Sequence, residues 1–151
     1  MIDAFSAGQA LLTVGLILTI NLVGATFLTI TLPSLIVPFG GLVLWGVRAL
    51  LWGILFAPRI DPSMGAQDVL SGIGVAVLIV LEGEGYILGA LGAYLQGRAL
   101  LWPGSVGASG PGEGYWRGIK EQARLYVLIV LVLLVAALYE VGLLFVATPA
   151  Q

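Results

Sequence analysis

Apolar residues run almost without interruption over residues 8–32, 39–57, 69–102 and 125–146, and the polar side chains gather in the short connections between those runs. A helix of about 20 apolar residues crosses a hydrocarbon layer about 30 Å thick. A transmembrane β-barrel needs alternating strands of about ten residues between turns, and these runs are too long and too continuously apolar to supply them. The expected fold class is all-α: a polytopic transmembrane helical bundle forming a single integral membrane domain over residues 1–151.

One run carries an interruption. Glu82-Gly83-Glu84-Gly85 places two carboxylates and two glycines inside residues 69–102. The apolar part ahead of it, 69–81, would rise only about 20 Å as a helix, short of a full crossing. A broken helical pair near Glu82–Gly85 is therefore expected, with 85–102 as its returning arm and about five membrane segments in all. Along that arm Gly85, Gly89, Ala93 and Gly97 recur at every fourth position and share one helix face. Ala49, Gly53 and Ala57 form a second stripe of the same kind. Both stripes are expected to be helix-packing surfaces.

The connections refine this outline. Pro33 and Pro38 bracket an uncharged turn, as in an antiparallel helical hairpin. The second span stops before Pro58, and Asp61-Pro62 fits the N-cap and first turn of the next helix. Residues 103–114 form a Gly/Ser/Pro-rich linker without the Gly-Lys-Ser/Thr of a phosphate-binding loop. Residues 115–124 bring aromatic and basic side chains to headgroup level. Met1 to Gln9 has no Lys or Arg ahead of the first run, so that run is expected to be retained as an anchor. Five segments would put Arg59, Arg98, Arg117, Lys120 and Arg124 on one side, giving a cytoplasmic N-terminus and an outer C-terminus. A single crossing through Glu82–Gly85 would instead leave Arg59 opposite the other four.

Composition narrows the chemistry. Hydrophobic residues make up 60% and charged residues 9% of the chain, against the roughly 25% charged of soluble domains. There is no cysteine and no histidine, which removes disulfides, thiolate or imidazole metal sites, His-ligated haem and Cys or His nucleophiles. No basic stripe suggests nucleic acid, and the net charge of −2 points to no charged partner. No cofactor is expected. The expected partners are the lipid bilayer and either further copies of the chain or a larger membrane complex.

The ionisable side chains inside the apolar segments are Arg48, Glu82, Glu84 and Glu140, with Asn21 near the centre of the first span. A central charge costs roughly 2.5–3.5 kcal/mol on insertion scales, so each needs compensation. Arg48 either snorkels or pairs with a buried carboxylate. Asn21 is expected to face another helix. Two readings stay open for these five residues. They form a structural polar core, or a glutamate handles protons or cations as transporter carboxylates do. A hydrolytic carboxylate pair is not expected, because side chains two apart on a helix point about 200° apart.

Asn21 with Ala25, the glycines Gly41 and Gly46, the GALG at Gly89–Gly92 and the AALYE at Ala136–Glu140 together resemble the stage II sporulation protein M family of integral membrane proteins. The likeness covers residues 16–144, with Glu82 the better match to the family's central glutamate. Ile79-Val80 stand where the family often has His-Gly. The resemblance implies a non-enzymatic bundle that works in a membrane complex, in spore formers beside peptidoglycan-degrading partners during engulfment. The expected role is thus a scaffold or accessory subunit in a prokaryotic cell membrane, with a small transporter or channel component as the alternative.

Overall fold

The computed structural model describes residues 7–57 and 65–147. Arg59 and the Asp61-Pro62 cap lie outside the described residues. Among those described, every element is a helix. The first rod is built from α1 (Ala7–Thr19), a π-helical stretch (Ile20–Thr31) and α2 (Leu32–Ile36). Then come α3 (Gly40–Leu55), α4 (Ala66–Leu101), a 3-10 turn (Pro103–Val106) and α5 (Pro111–Ala147). Three helices are long and apolar enough to cross a membrane: Gly8–Ile36, Val69–Leu101 and Pro111–Phe145. The apolar helix Gly40–Leu55 is shorter.

The expected break does not occur. Glu82-Gly83-Glu84-Gly85 lies inside one continuous 36-residue helix, about 54 Å long. Each glycine weakens a helix by only about 1 kcal/mol relative to alanine. Leaving backbone groups unbonded in hydrocarbon costs several kcal/mol each, so the helix persists. In place of about five segments, the described residues give three long helices and α3.

The direction of each helix follows from what packs on it. Down the α4–α5 seam, Gly74 faces Leu143 and Tyr139, Gly85 faces Leu133, Gly92 faces Gln122 and Gly114 faces Ala99. The two helices are therefore antiparallel. Val14 of α1 packs with Ala137 and Val141 near the end of α5, whereas Thr31 bonds Tyr126 (2.6 Å) and the Tyr115 hydroxyl donates to the Leu35 carbonyl (3.1 Å). The first rod is thus antiparallel to α5, and the described N- and C-terminal ends of the bundle lie together. Ends on opposite faces required the extra segment that the continuous α4 removes.

In the π stretch the buried residues are Asn21, Ala25, Thr26, Ile30 and Thr31, at spacings of four and five. Hydrogen bonds that close at i→i+5 bring such spacings to one face. Threonine hydroxyls bond back into the rod, Thr13 to Gln9, Thr19 to Gly15 and Thr29 to Ala25, so their polarity is satisfied locally. Thr26 donates five residues back to the Asn21 carbonyl at 2.9 Å.

The tight turn to α3 is held at three points. The Ser34 hydroxyl accepts the Gly41 N–H (2.8 Å), which covers one of the free donors at the helix start. Phe39 adopts a left-handed conformation, φ 63°, that side chains seldom occupy. Its ring lies against Gly97 and near Tyr94 and Trp102, with centroids 6.0 and 6.3 Å away. Ring burial on a glycine of α4 offsets the cost of that backbone.

Candidate functional site

The centre of the bundle holds a polar network assembled from two i,i+4 pairs, one on α3 and one on α4. Glu82 and Tyr86 fall one turn apart on α4, as Arg48 and Trp52 do on α3, so each pair shares a face. Asn21 joins them from the π stretch. Its Nδ2 donates to Glu82 Oε1 at 2.7 Å, and its Oδ1 accepts the Tyr86 hydroxyl at 2.7 Å. Only one orientation of the amide serves both neighbours, because a carboxylate oxygen accepts and the phenol here donates. Asn21 and Tyr86 are 8% and 2% exposed, so each bond replaces water that cannot reach them.

Arg48 neither snorkels nor pairs with a carboxylate among the described residues. Its guanidinium lies over two rings, 4.6 Å from the Tyr86 centroid and 4.7 Å from the Trp52 centroid. The rings themselves meet edge to face at 5.6 Å. A desolvated cation–π contact is worth about 2 kcal/mol, comparable to the insertion cost of the charge. No carboxylate comes within ion-pair distance of Arg48 among the described residues, where the salt bridges are Arg117–Glu113 and Arg124–Glu121.

Of the five candidate polar residues, the fold brings together Asn21, Glu82 and, through the Tyr86 ring, Arg48, leaves Glu140 half-buried on α5, and sends Glu84 away. Glu84 is exposed on the outer side of α4. The two carboxylates of the motif point in different directions, as helical spacing requires. Tyr86 and Trp52, uncharged rings inside apolar runs, also belong to the site. Their position four residues beyond an intramembrane charge is the signal that marks them.

An open groove of about 460 Å³ runs between α3 and α4, and Arg48, Trp52, Gly83 and Tyr86 line its polar part. The stripe Ala49, Gly53 and Ala57 is exposed and lines the same groove. The other stripe has a different fate: Gly85, Gly89, Ala93 and Gly97 are all buried, against Leu133, Thr26 and Ile30, the core, and Phe39 in turn.

Nearer the Phe39 end, Gln96 and Gln122 are buried between α4 and α5. Among the described residues both amide atoms of Gln96 and the Nε2 of Gln122 have no hydrogen-bond partner. Beyond them Phe39, Tyr94, Trp102, Tyr115 and Trp116 make an aromatic belt. Arg98, Arg117, Lys120 and Arg124 lie at this end. Here Glu113 Oε2 accepts the Ser109 N–H and hydroxyl at 2.8 and 2.7 Å, and so ties the linker to the first turn of α5.

No group of three or more His, Cys, Asp or Glu side chains able to hold a metal is found among the described residues. What the arrangement offers chemically is a hydrogen-bonded carboxylate, a ring-stacked cation and an apolar groove that reaches the cation. The chain matches no protein-family model, no curated protein and no solved structure with which it was compared.

Proposed function

We propose that the protein is a non-enzymatic integral membrane subunit, a scaffold or accessory component that works by helix packing within a larger assembly. The carrying observation is the uncovered stripe on and just past α3: Ala49, Gly53 and, beyond the helix end, Ala57 line an open groove while the other small-residue stripe is spent on internal packing. Small residues let a neighbouring helix approach closely, and close approach is what drives association where lipid is as apolar as leucine. The polar network supports the same reading, since Asn21, Glu82 and Tyr86 bond one another and tie the first rod to α4. This is the role that the resemblance to stage II sporulation protein M implies. The setting is the cell membrane of a prokaryote, with the basic, aromatic-belted end facing the cytoplasm and both described ends of the bundle outside. Capture of the tagged chain from native membranes, with mass spectrometry of what accompanies it, tests the proposal. A defined stoichiometric assembly is expected, and recovery of a lone monomer would overturn it.

One observation favours transport as the second reading. The groove touches Arg48 and Tyr86, and through Tyr86 and Asn21 it connects to Glu82. Ion or proton flux into liposomes that Glu82→Gln abolishes, with assembly intact, would select this reading over the first.

A further inference from the structure

Arg48 and Glu84 have no opposite charge within ion-pair distance among the described residues, and they lie at the same depth in the middle of the bundle. Arg48 opens into the α3–α4 groove and stacks on Tyr86. Glu84 is only two residues from Tyr86, so it is displaced from that level by about 3 Å along the helix axis. Tyr86 bonds Asn21, which is close to the midpoint of the Gly8–Ile36 span. Glu84 is exposed there and has no hydrogen bond or ion pair among the described residues.

We infer that a second copy of the chain docks in this groove, its Glu84 carboxylate paired with the Arg48 guanidinium. The inference rests on the scaffold reading above and names the partner. Symmetry makes the match automatic. Two copies inserted in the same sense are related by a two-fold axis along the membrane normal, and groups at one depth in one copy meet groups at that depth in the other. Arg48 then faces the partner's Glu84, and Glu84 faces the partner's Arg48. The α4 edge carrying Glu84 also presents Val80, Ile87 and Leu91 to the outside. The groove that receives it has Ala49 and Gly53 on its wall, which admit a helix closely. A lipid phosphate is the weaker occupant, since it belongs to the headgroup layer and these groups lie at mid-depth. In the isolated chain a carboxylate is left facing acyl chains, and the pairing removes that defect.

Co-expression of two differently tagged copies, extraction in mild detergent and capture through one tag reads the association directly. Wild type is expected to recover the second copy. Glu84→Gln is expected to reduce recovery at least tenfold without unfolding the monomer, because that side chain is exposed and makes no hydrogen bond or ion pair among the described residues. Glu84→Arg combined with Arg48→Glu is expected to restore it. Arg48 also packs internally, so a cysteine pair gives a test that keeps both charges. The chain has no native cysteine. A copy with Gly53→Cys and a copy with Val80→Cys are expected to form an intermolecular disulfide in native membranes. Unchanged recovery of Glu84→Gln, or no disulfide, overturns the pairing. Capture of a different subunit without the second copy overturns the pairing and leaves the scaffold reading standing. A lone chain in every assay overturns both.

Discussion

The two small-residue stripes are alike on paper and opposite in the fold. Gly85, Gly89, Ala93 and Gly97 on α4 are wholly covered by the chain's own first rod, turn and α5. Ala49 and Gly53 on α3, with Ala57 just past its end, look out onto an open groove. The difference is one of neighbours. α4 lies at the middle of the bundle and packs against α3, α5, the π stretch and α2, so any face of it that admits close approach is used. α3 is shorter and held mainly along one side, which leaves a second side uncovered. A repeat of small residues thus states that a helix can be approached closely, and the architecture decides by whom.

Substitution at the covered stripe should break the fold first. A Cβ added at Gly97 would come 2.9 Å from two carbons of the Phe39 ring and 3.1 Å from the Phe39 backbone nitrogen. Phe39 has little room to yield, because its left-handed backbone is already held by Ser34 and the turn. Gly97→Leu is expected to destabilise the monomer by about 3 kcal/mol, read as a shifted unfolding transition in mixed micelles. A transition that does not move would mean that the ring contact is loose.

The polar residues repeat the comparison at a smaller scale. Asn21 completes two hydrogen bonds, and Asn21→Leu strands both the Tyr86 hydroxyl and the Glu82 carboxylate. A loss of about 1–2 kcal/mol is expected on the same unfolding curve. Gln96 is equally buried, and neither of its amide atoms has a hydrogen-bond partner among the described residues. Gln96→Met keeps the length of the side chain and removes the desolvated amide, so a gain of about 1 kcal/mol is expected. If both substitutions cost the same, hydrogen-bond satisfaction does not separate the two sites.

Much of this arrangement is legible in the residues. The spans follow from the length of apolar runs, since hydrocarbon forces the backbone to bond internally. Residues 8–32 and 39–57 anticipate the rods closely. Arg48, Glu82 and Asn21 declare themselves by the cost of polarity at depth. What misled was Gly83 and Gly85, whose turn-forming habit in water carries little weight where an open turn leaves backbone groups dry. Ring partners are harder to anticipate. Trp52 and Tyr86 resemble ordinary apolar filler until the bundle brings α3 over α4 and sets both rings beneath one guanidinium.

The smallest effect expected is at the open stripe, and it has the opposite sign to that at Gly97. A Cβ at Gly53 meets nothing within 4 Å, so Gly53→Ala adds no clash inside the chain. It removes backbone freedom from the unfolded state, which favours a helix, although the position falls in the last turn of α3 where that benefit is partial. A gain of about 0.5 kcal/mol is expected for the monomer, measured in detergent dilute enough in protein to keep copies apart. In native membranes the same methyl group would stand where a second α4 edge docks. A chain that melts later as a monomer yet pairs less well in the tagged-copy assay would separate the two uses of a small residue, freedom of backbone and closeness of approach, at one position.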